Sequence, residues 1–273
     1  IIVRDGVYVE NIDINKSLTI KSENGSASCI IQAANPSDHV FNVTADGVNI
    51  IGFTITGASG SLKAGIYINA NNSYIAGNNV SGNEYGIYLY YSTNNQIANN
   101  EIFGNEHNIL CHGVCLSYSN NNQITDNNFT RDGLFVGHSY SNTVVGNKVN
   151  NKPLVYLENQ SDVVVSNAGQ VVLVNCNNIT VENLNLSNTD VGVELWNSSD
   201  CRIVNNEVES NRRGICLYYS NNNQITNNNI SEDSYYGIRL VNSNYNQITN
   251  NDISENGYCL LYTSDAADDG ESV

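Results

Sequence analysis

Short apolar pairs recur along this chain at regular intervals, separated by runs of Asn, Ser and Thr. In Gly214–Ile230, which reads GICLYYSNNNQITNNNI, the first pair is Ile215 and Leu217, and the second is Ile225 and Ile230. Alternation of apolar and polar residues is typical of half-buried β-strands. The unit returns with small changes from about residue 65 to residue 262. The pattern therefore predicts short strands in every unit and no helix.

The spacing of the unit predicts a solenoid. The position of its leading Gly falls at residues 65, 86, 113, 133, 154, 171, 192, 214, 237 and 257, with Leu154 and Val171 in place of Gly. Intervals of 17 to 27 residues are typical of solenoid repeats. A leucine-rich repeat would need helix formers, which are scarce here, whereas Gly, Asn and β-branched residues dominate. Each unit is therefore predicted to be one coil of a parallel β-helix.

The apolar pairs predict a core of stacked columns. Within each pair after the leading Gly, both side chains point to the same side of the strand and are expected to face inward. Successive coils should lie about 4.8 Å apart, the usual distance between paired strands. The first column contains Ile66/Ile68, Ile87/Leu89, Val114/Leu116, Leu134/Val136, Val193/Leu195, Ile215/Leu217 and Ile238/Leu240. The second contains Ile75/Val80, Ile97/Ile102, Ile124/Phe129, Val144/Val149, Ile203/Val208, Ile225/Ile230 and Ile248/Ile253.

An Asn recurs in phase between the members of the second pair. Because Asn tolerates the left-handed backbone region, we expect it to form the bend there. Its amide can also bond to the same amide one coil away, which predicts a structural ladder. We expect the leading Gly at a tight corner that a side chain would obstruct. The Asn column is Asn78, Asn100, Asn127, Asn147, Asn206, Asn228 and Asn251.

The repeat divides the chain into three segments. We expect the first coils in residues 1–37, the β-helix repeats in 38–262, and a tail without repeats in 263–273 that is disordered or non-native. Residues 150–190 are the least regular part, and Asn151-Lys152-Pro153 opens a coil that lacks its Gly. The last coil has no evident cap, which predicts an open sheet edge prone to association.

The composition limits the classes of partner. A net charge of −16 and a pI near 4.3 argue against nucleic-acid binding. No segment of this fragment is apolar enough to span a membrane. Seven Cys residues are an odd number, and we expect most of them to be unpaired thiols. A polar, weakly charged chain of this kind suits an extracellular, cell-surface or periplasmic protein.

Several sequence blocks are similar to those of a known family. Gly6-Val7-Tyr8-Val9-Glu10 and Asn15-Lys16-Ser17-Leu18-Thr19-Ile20 are typical of its first coils, and the Gly-Ile-x-Leu…Asn-Asn-x-Ile repeat follows. The block Asn151–Asn188, with Ala168-Gly169-Gln170-Val171, adds to the likeness. The chain resembles NosD-like domains of the pectin-lyase-like superfamily. This resemblance implies an all-β fold, a single-stranded right-handed parallel β-helix (β-solenoid) of about a dozen coils. It also implies a carbohydrate-binding protein or sugar hydrolase.

The outward positions of the first strand are rich in aromatic residues and are the candidate binding site. Aromatic rings at regular spacing can contact sugar rings, although Tyr is also simply a good strand residue. We expect this face to contact a polysaccharide or a surface glycoprotein, with no catalysis and no cofactor. The candidate ligand-binding residues are Tyr67, Tyr88, Tyr90, Tyr118, Phe135, Tyr156, Glu194, Trp196, Tyr218 and Arg239.

Two alternatives remain open. The first is a polysaccharide lyase, hydrolase or epimerase of the superfamily; Asn188-Thr189-Asp190 matches a hydrolase element, but the paired carboxylates that should follow it are absent. The second is a role in copper-site maturation, which the resemblance implies for NosD-like proteins. Its candidate ligands, all near the insertion of the 27-residue repeat, are His107, Cys111, His112 and Cys115.

Overall fold

A computed structural model of the chain describes residues 1–105 and 113–263. These residues contain 35 short strands and no helix. The strands of the first part are β1 (Ile2–Val3), β2 (Gly6–Val9), β3 (Ile12–Ile14), β4 (Thr19–Ser22), β5 (Cys29–Gln32), β6 (Phe41–Val43), β7 (Asn49–Ile51), β8 (Thr54–Thr56), β9 (Ala64–Ile68), β10 (Tyr74–Ala76), β11 (Asn79–Ser81), β12 (Tyr85–Tyr90), β13 (Gln96–Ala98), β14 (Glu101–Phe103), β15 (Val114–Ser117), β16 (Gln123–Thr125), β17 (Asn128–Thr130), β18 (Leu134–Gly137), β19 (Thr143–Val145) and β20 (Lys148–Val149). They continue as β21 (Lys152–Glu158), β22 (Val164–Val165), β23 (Gln170–Val174), β24 (Thr180–Glu182), β25 (Asn185–Ser187), β26 (Val191–Trp196), β27 (Arg202–Val204), β28 (Glu207–Glu209), β29 (Arg213–Tyr218), β30 (Gln224–Thr226), β31 (Asn229–Ser231), β32 (Tyr236–Val241), β33 (Gln247–Thr249), β34 (Asp252–Ser254) and β35 (Tyr258–Thr263).

The predicted parallel β-helix is confirmed, with about 12 turns. The strands belong to two compact units. Unit 1 consists of Ile1–Tyr156, Asn167–Val172 and Asn188–Asp190. Unit 2 consists of Leu157–Ser166, Leu173–Ser187 and the described residues from Val191 onward. The predicted tail, apart from Thr263, lies outside the described residues.

Unit 1 has three parallel sheets, one for each side of a coil. Their strand orders are β1-β4-β7-β10-β13-β16-β19, β2-β5-β8-β11-β14-β17-β20, and β3-β6-β9-β12-β15-β18. Each strand pairs with its counterpart one coil away, so that Ile66 lies beside Ile87 and Ile87 beside Val114. This register keeps residues of one repeat position in one column, because a shift by one residue would turn every side chain to the opposite face.

Unit 2 repeats this arrangement. Two of its sheets have the orders β22-β24-β27-β30-β33 and β25-β28-β31-β34. In the third, β26, β29, β32 and β35 pair in parallel, with Val193 beside Ile215 and Ile215 beside Ile238. The apolar columns are therefore continuous within the unit.

The parallel pattern is interrupted at the irregular segment of unit 1. Here β20 pairs with β21 in antiparallel fashion, with Lys148 opposite Pro153. The strand β18 ends its own sheet. Its residue Leu134 donates its N–H to Gln170 Oε1 (2.9 Å), and Gln170 Nε2 donates to the Leu134 carbonyl (2.7 Å). A buried side-chain amide therefore takes the place of the next strand at this edge.

The core consists of the predicted columns. Every residue of the two apolar columns is buried except Ile248 and Ile253. These two lie on β33 and β34, the last described strands of their sheets, and are half-buried. Full burial of an aliphatic side chain contributes about 1.5–3 kcal/mol, so the columns account for much of the stability.

The predicted Asn ladder is confirmed, but its backbone geometry differs from the prediction. Asn78 donates its N–H and its Nδ2 to Asn100 Oδ1 (3.0 and 3.1 Å), and Asn206 does the same to Asn228 (2.9 and 3.0 Å). The left-handed residue is the one before the ladder Asn, for example Asn99 and Asn227. The ladder residues are buried, except for the half-buried Asn251, and have no positive φ themselves.

The leading Gly also differs from the prediction. It lies within a strand and has no positive φ in Gly86 or Gly214. A Cβ on Gly86 would lie 2.6 Å from the backbone oxygen of Gly113, and a Cβ on Gly214 would lie 2.5 Å from that of Gly237. The residue is therefore required by the close approach of neighbouring coils.

Further ladders, which were not predicted from the sequence, lie at other bends of the coils. A Ser ladder contains Ser92, Ser119 and Ser139 in unit 1 and Ser198, Ser220 and Ser243 in unit 2. A second amide ladder contains Asn83, Asn105 and Asp132 in unit 1 and Asn211, Asp233 and Asn256 in unit 2. The described cysteines are free, as expected; all except Cys259 are buried.

Candidate functional site

The candidate residues of unit 1 lie in register on one sheet. Strand pairing brings Tyr67 beside Tyr88, Tyr88 beside Cys115, and Cys115 beside Phe135. Tyr90 lies two residues further along the same strand as Tyr88. Because alternate residues of a strand share a face, the four aromatic side chains lie on the outer side of the coils, opposite the apolar columns.

These rings belong to a larger network that we call the tyrosine surface. Tyr67 and Tyr88 have ring centroids 5.6 Å apart, Tyr88 and Tyr90 are 5.8 Å apart, and Tyr90 and Tyr91 are 4.6 Å apart. Tyr85 stacks on Tyr88 at 5.0 Å. The surface consists of His39, Tyr67, Tyr85, Tyr88, Tyr90, Tyr91, Tyr118, Phe135 and His138. Five of these residues are predicted from the sequence, namely Tyr67, Tyr88, Tyr90, Tyr118 and Phe135, and the other four are not.

One edge of the tyrosine surface is a column of stacked rings at the bend after the strand. Tyr91 and Tyr118 stack at 4.7 Å with an interplanar angle of 4°, and Tyr118 and His138 at 4.6 Å and 7°. All three have φ between 46° and 50°. This region is unfavourable for a side chain with a Cβ, but it recurs at the equivalent bend of unit 2, in Tyr219 and Asn242, so it is a property of the bend. Tyr91 and Tyr118 are 57% and 43% exposed, so the ring edges and hydroxyls are accessible.

The opposite edge of the surface is formed by His39. Its ring stacks on Tyr67 at 4.5 Å, and its Nδ1 accepts a hydrogen bond from the backbone N–H of Ala64 (3.0 Å). Burial, with a smaller contribution from the nearby Lys63, lowers the pKa of His39 to about 4. The imidazole is therefore neutral at physiological pH, and the Nδ1 acceptor assigns its proton to Nε2.

Tyr67 remains a phenol over the physiological range. Burial raises its pKa, and the neighbouring Tyr90 acts in the same direction. Its hydroxyl can then both donate and accept a hydrogen bond. Lys63 and Asp38 form a long ion pair of 3.8 Å close to His39. The tyrosine surface is therefore largely uncharged, with hydroxyl and imidazole groups as its polar atoms.

The candidate residues of unit 2 are largely buried, and the expectation that they form an exposed outer face is wrong for three of them. Glu194, Trp196 and Tyr218 are 0%, 4% and 6% exposed, and Arg239 is half-buried. Pairing brings Glu194 beside Cys216, and Cys216 beside Arg239. The predicted column exists, but these residues pack against one another and are not open to a large ligand.

The unit 2 cluster combines charges with aromatic rings. Arg239 lies over the rings of Tyr218 and Tyr236, at 5.6 and 5.2 Å from their centroids, and donates to the Tyr218 hydroxyl at 3.4 Å. Burial raises the pKa of Cys216 to about 11, an effect that Arg213 partly offsets. Burial also raises the pKa of Tyr218. Both groups are therefore protonated at neutral pH.

The continuous face expected from Tyr67 to Arg239 does not exist in unit 1 beyond Phe135. Phe135 lies on β18, which ends its sheet, whereas Tyr156 lies on β21, which pairs antiparallel to β20. Tyr156 is half-buried and is not in register with the Tyr88 column. The tyrosine surface is accordingly confined to the coils from β9 to β18 and the flanking His39.

The carboxylate of the hydrolase-like element is inaccessible. Asp190 is fully buried, and Thr189, also buried, donates its hydroxyl to the Asp132 carbonyl at 3.2 Å. Asn188 accepts a hydrogen bond at its carbonyl from Asn150 Nδ2 (2.8 Å). These contacts hold the segment against the end of the β18 sheet. Asn188-Thr189-Asp190 therefore has a structural place in unit 1.

The candidate copper ligands fall mostly outside the described residues. His107, Cys111 and His112 lie there, and Cys115 is buried against Ala64 and Tyr85. Within residues 1–105 and 113–263, no group of three or more His, Cys, Asp or Glu could hold a metal ion. The residues that the structure describes therefore do not fit a copper site. Over the same residues, no helix is long and apolar enough to cross a membrane.

Several solved structures are similar to this chain. The A-module of the Azotobacter vinelandii mannuronan C-5 epimerase AlgE4 has a TM-score of 0.44 and 14% identity, over 97% of this chain and 90% of that chain. The Dettilon tailspike protein gp208 has a TM-score of 0.49 and 14% identity, over 96% and 62%. The periplasmic alginate epimerase AlgG has a TM-score of 0.34 and 15% identity, over 92% and 67%. No curated protein sequence matches the chain.

A sequence profile of one family matches nearly the whole chain, in two overlapping stretches. The profile is described as "Periplasmic copper-binding protein (NosD)", and it matches residues 1–168 and residues 151–270. The junction of the two matches falls at the irregular segment where the antiparallel pair of β20 and β21 lies. The chain belongs to the NosD family.

Proposed function

We propose that this chain is an exported binding module that contacts a glycan through the tyrosine surface of unit 1. The glycan is a polysaccharide or the glycan of a surface glycoprotein. The family description as periplasmic supports a location in the periplasm, at the cell surface or outside the cell. The candidate residues of unit 2 are not part of this binding surface, because three of the four are buried.

The observation that carries the proposal is the contiguous ring network on a rigid sheet. Seven rings, from His39 to His138, follow one another at centroid distances of 4.5 to 5.8 Å along the main path. Tyr side chains give a large contact area at a low cost in conformational entropy, with a hydroxyl for hydrogen bonds. Because the strands below are held by the Asn ladders and the apolar core, little ordering is needed on binding.

The ring geometry supports two kinds of contact. Tyr91 and Tyr118 lie face to face, so they offer their edges and hydroxyls to a ligand. Tyr67, Tyr88 and Tyr90 meet one another at angles of 31° to 66°, so they do not stack on one another. His39 and Tyr85 cover one face each of Tyr67 and Tyr88, which leaves the other faces for a ligand. The ring of a sugar can therefore pack against Tyr67, Tyr88 and Tyr90. The hydroxyls of the same sugar can form hydrogen bonds with Tyr91 and Tyr118.

Charge favours a neutral glycan. The chain carries a net charge of −16, which repels polyanions such as uronic acid polymers at low salt. The tyrosine surface supplies no cationic cluster, since His39 is neutral and Lys63 is paired with Asp38. Neutral hexose or hexosamine polymers therefore fit better than acidic polysaccharides.

The test is a glycan array probed with the wild-type chain and two matched variants. The double variant Tyr91→Asn with Tyr118→Asn removes the stacked column and keeps a residue that tolerates positive φ, as Asn197 and Asn242 do at the same bend in unit 2. We expect it to lose at least about tenfold in affinity, a typical loss for an aromatic anchor.

The control is Tyr219→Asn, the same substitution at the equivalent bend of unit 2, where φ is 51°. We expect it to bind like the wild type. Wild-type binding to no glycan, or an equal loss in Tyr219→Asn, would contradict the proposal.

A further inference from the structure

The second amide ladder of unit 2 contains an acid where the pattern requires an amide. Asn211, Asp233 and Asn256 occupy equivalent positions in three successive coils. The N–H of Asn211 donates to Asp233 Oδ1 (2.9 Å), and the N–H of Asp233 donates to Asn256 Oδ1 (2.9 Å). One carboxylate oxygen thus accepts as an Asn oxygen would. The other, Oδ2, takes the place of the Asn Nδ2.

The contacts of equivalent ladder residues indicate what surrounds Asp233 Oδ2, the atom in the place of an Asn Nδ2. Asn105 Nδ2 donates to the Val80 carbonyl of the preceding coil (3.1 Å), to the Phe103 carbonyl of its own coil (3.5 Å) and to the side-chain oxygen of the following coil (2.7 Å). Asn211 and Asn256 likewise donate to Leu186 and Ile230 (both 3.0 Å). The position is therefore lined by acceptors and suits a donor.

An ionised carboxylate conflicts with this lining. Asp233 is 1% exposed, and its Oδ2 has no hydrogen-bond donor within reach among the described residues. It lies against Gly214, whose hypothetical Cβ would overlap it. A buried charge that faces acceptors is strongly unfavourable, whereas a protonated carboxyl can donate from Oδ2.

We propose that Asp233 is a neutral carboxylic acid that replaces an Asn in the ladder, so that a rise in pH from acidic to slightly alkaline values weakens the last coils of unit 2. The proton on Oδ2 supplies the donor that Asn Nδ2 supplies elsewhere. Loss of that proton leaves a buried anion facing the acceptors and removes the donor at this position of the ladder, which weakens the packing between the coils of Asn211 and Asn256. The stability of this ladder in unit 2 therefore depends on pH at Asp233.

The charged groups around Asp233 agree with this assignment. Burial raises the pKa of its carboxyl to about 8; the hydrogen bonds from Asn211 act against the rise, and Glu209 on the preceding coil adds to it. Arg212 and Arg213 follow Asn211 on that coil, Glu232 precedes Asp233 on its own, and Glu255 precedes Asn256 on the next. None of these arginines is among the groups that shift the pKa of Asp233.

The sign of the pH effect follows from linkage. The folded protein keeps the proton up to about pH 8, whereas the unfolded chain loses it near the ordinary value of 3.8. The stabilising contribution is therefore fully present below about pH 4, decreases as the pH rises, and is lost above about pH 8.

The test compares thermal unfolding of the wild type, Asp233→Asn and the exposed control Asp252→Asn between about pH 5 and pH 9. We expect the melting temperature of the wild type to fall relative to that of Asp233→Asn as the pH rises to about 8, and then to level off. Asp252→Asn should follow the wild type. Hydrogen exchange at about pH 9 should be faster in the wild type than in Asp233→Asn at the amides of Asn211 and Asp233.

A carboxyl ¹³C titration of the wild-type protein decides the question even if Asp233→Asn does not fold. A midpoint near 8 for the Asp233 side chain supports the proposal. A midpoint near 4, or parallel melting curves for the wild type and Asp233→Asn, overturns it.

Discussion

One coil of unit 1 and one coil of unit 2 differ at only two positions over seven residues. Residues 85–91 read YGIYLYY, and residues 213–219 read RGICLYY. Their apolar residues are buried in the same way, and both coils are paired in parallel with their neighbours. On the outer side, however, Tyr88 and Tyr90 are half-buried parts of an open ring network, whereas Cys216 and Tyr218 are buried.

The difference shows how a repeat separates architecture from surface chemistry. Glycine, the apolar pair and the ladder residues fix the backbone in both coils. The outward positions are free to vary, and a Tyr in place of a small Cys creates a ring surface, while Arg213 and Glu194 around Cys216 form a closed, charged cluster. Function is therefore expected to follow the outward residues and not the repeat itself.

The largest expected effect is the decrease in stability when the buried guanidinium of unit 2 is removed. Arg213→Ala removes a fully buried charged group and leaves a cavity, so we expect a loss of about 3–5 kcal/mol in the free energy of unfolding. The equivalent residue of unit 1 is the uncharged Tyr85. Denaturant unfolding measures the effect, and Arg202→Ala on the exposed side of the same unit should change stability by less than about 0.5 kcal/mol. Equal effects of the two substitutions would show that the cluster is not a stabilising one.

The second largest expected effect tests whether the leading Gly is required in both units by its close approach to the next coil. Gly86→Ala and Gly214→Ala each force a Cβ against a backbone oxygen of the next coil, and each should cost about 2–3 kcal/mol. Chemical denaturation of both variants would check that the costs are similar in the two units. Gly137→Ala is the control, since a Cβ there would have no contact closer than 3.4 Å, and the backbone oxygen of Leu116 in the neighbouring coil would be 3.6 Å away. A loss of stability in only one of the two variants would show that the backbone packing of the two units differs.

An exchange of the outward residues tests the two surfaces directly. Cys216→Tyr inserts a ring into a fully buried place and should cost about 1–3 kcal/mol. The reverse change, Tyr88→Cys, removes a half-buried ring and should cost less while it weakens glycan binding. Thermal unfolding and the glycan array measure the two outcomes. A tolerated Cys216→Tyr would mean that the outer side of unit 2 can open.

The smallest expected effect is a pH dependence in unit 1 opposite in sign to that of Asp233. Because the pKa of His39 is about 4 in the folded protein and 6.5 ordinarily, the unfolded chain binds more protons between these values. Stability therefore falls as the pH decreases from about 6.5 to about 4, by about 1 kcal/mol after allowance for the partial exposure of the ring. His39→Asn, which keeps an acceptor for Ala64, should remove this loss in melting curves recorded across that range. An unchanged acid profile would exclude His39 as its origin.

Much of the fold could be predicted because the same pattern of apolar, Gly and Asn positions recurs in successive coils. The alternation at Ile87 and Leu89 identified the core, and the in-phase Asn100 and Asn127 identified the first ladder. A single coil would have been ambiguous, but columns that recur over successive coils are not. The left-handed residue was misplaced by one position, since Asn occurs at both places and only the backbone distinguishes them.

The site was less predictable because exposure depends on neighbours that the pattern does not specify. Trp196 and Tyr218 have the same outward phase as Tyr88, yet both are buried, with Tyr218 beside Arg239. The interruption at Lys148 and Pro153 was marked by the missing Gly, but an antiparallel pair could not be inferred from spacing. His39 lies before the regular repeats, so periodicity could not connect it with Tyr67.

The amide ladders have a direction, and this has a consequence for how the chain is made. Along the ladders, the N–H of the earlier coil donates to the side-chain oxygen of the later one, as from Asn78 to Asn100 and from Asn100 to Asn127. A coil that has just emerged during synthesis or export therefore carries unfilled donors until its successor arrives. Each new coil supplies acceptors for the ladder donors of the coil before it. The most recently formed coil is therefore the one whose ladder donors are still without acceptors.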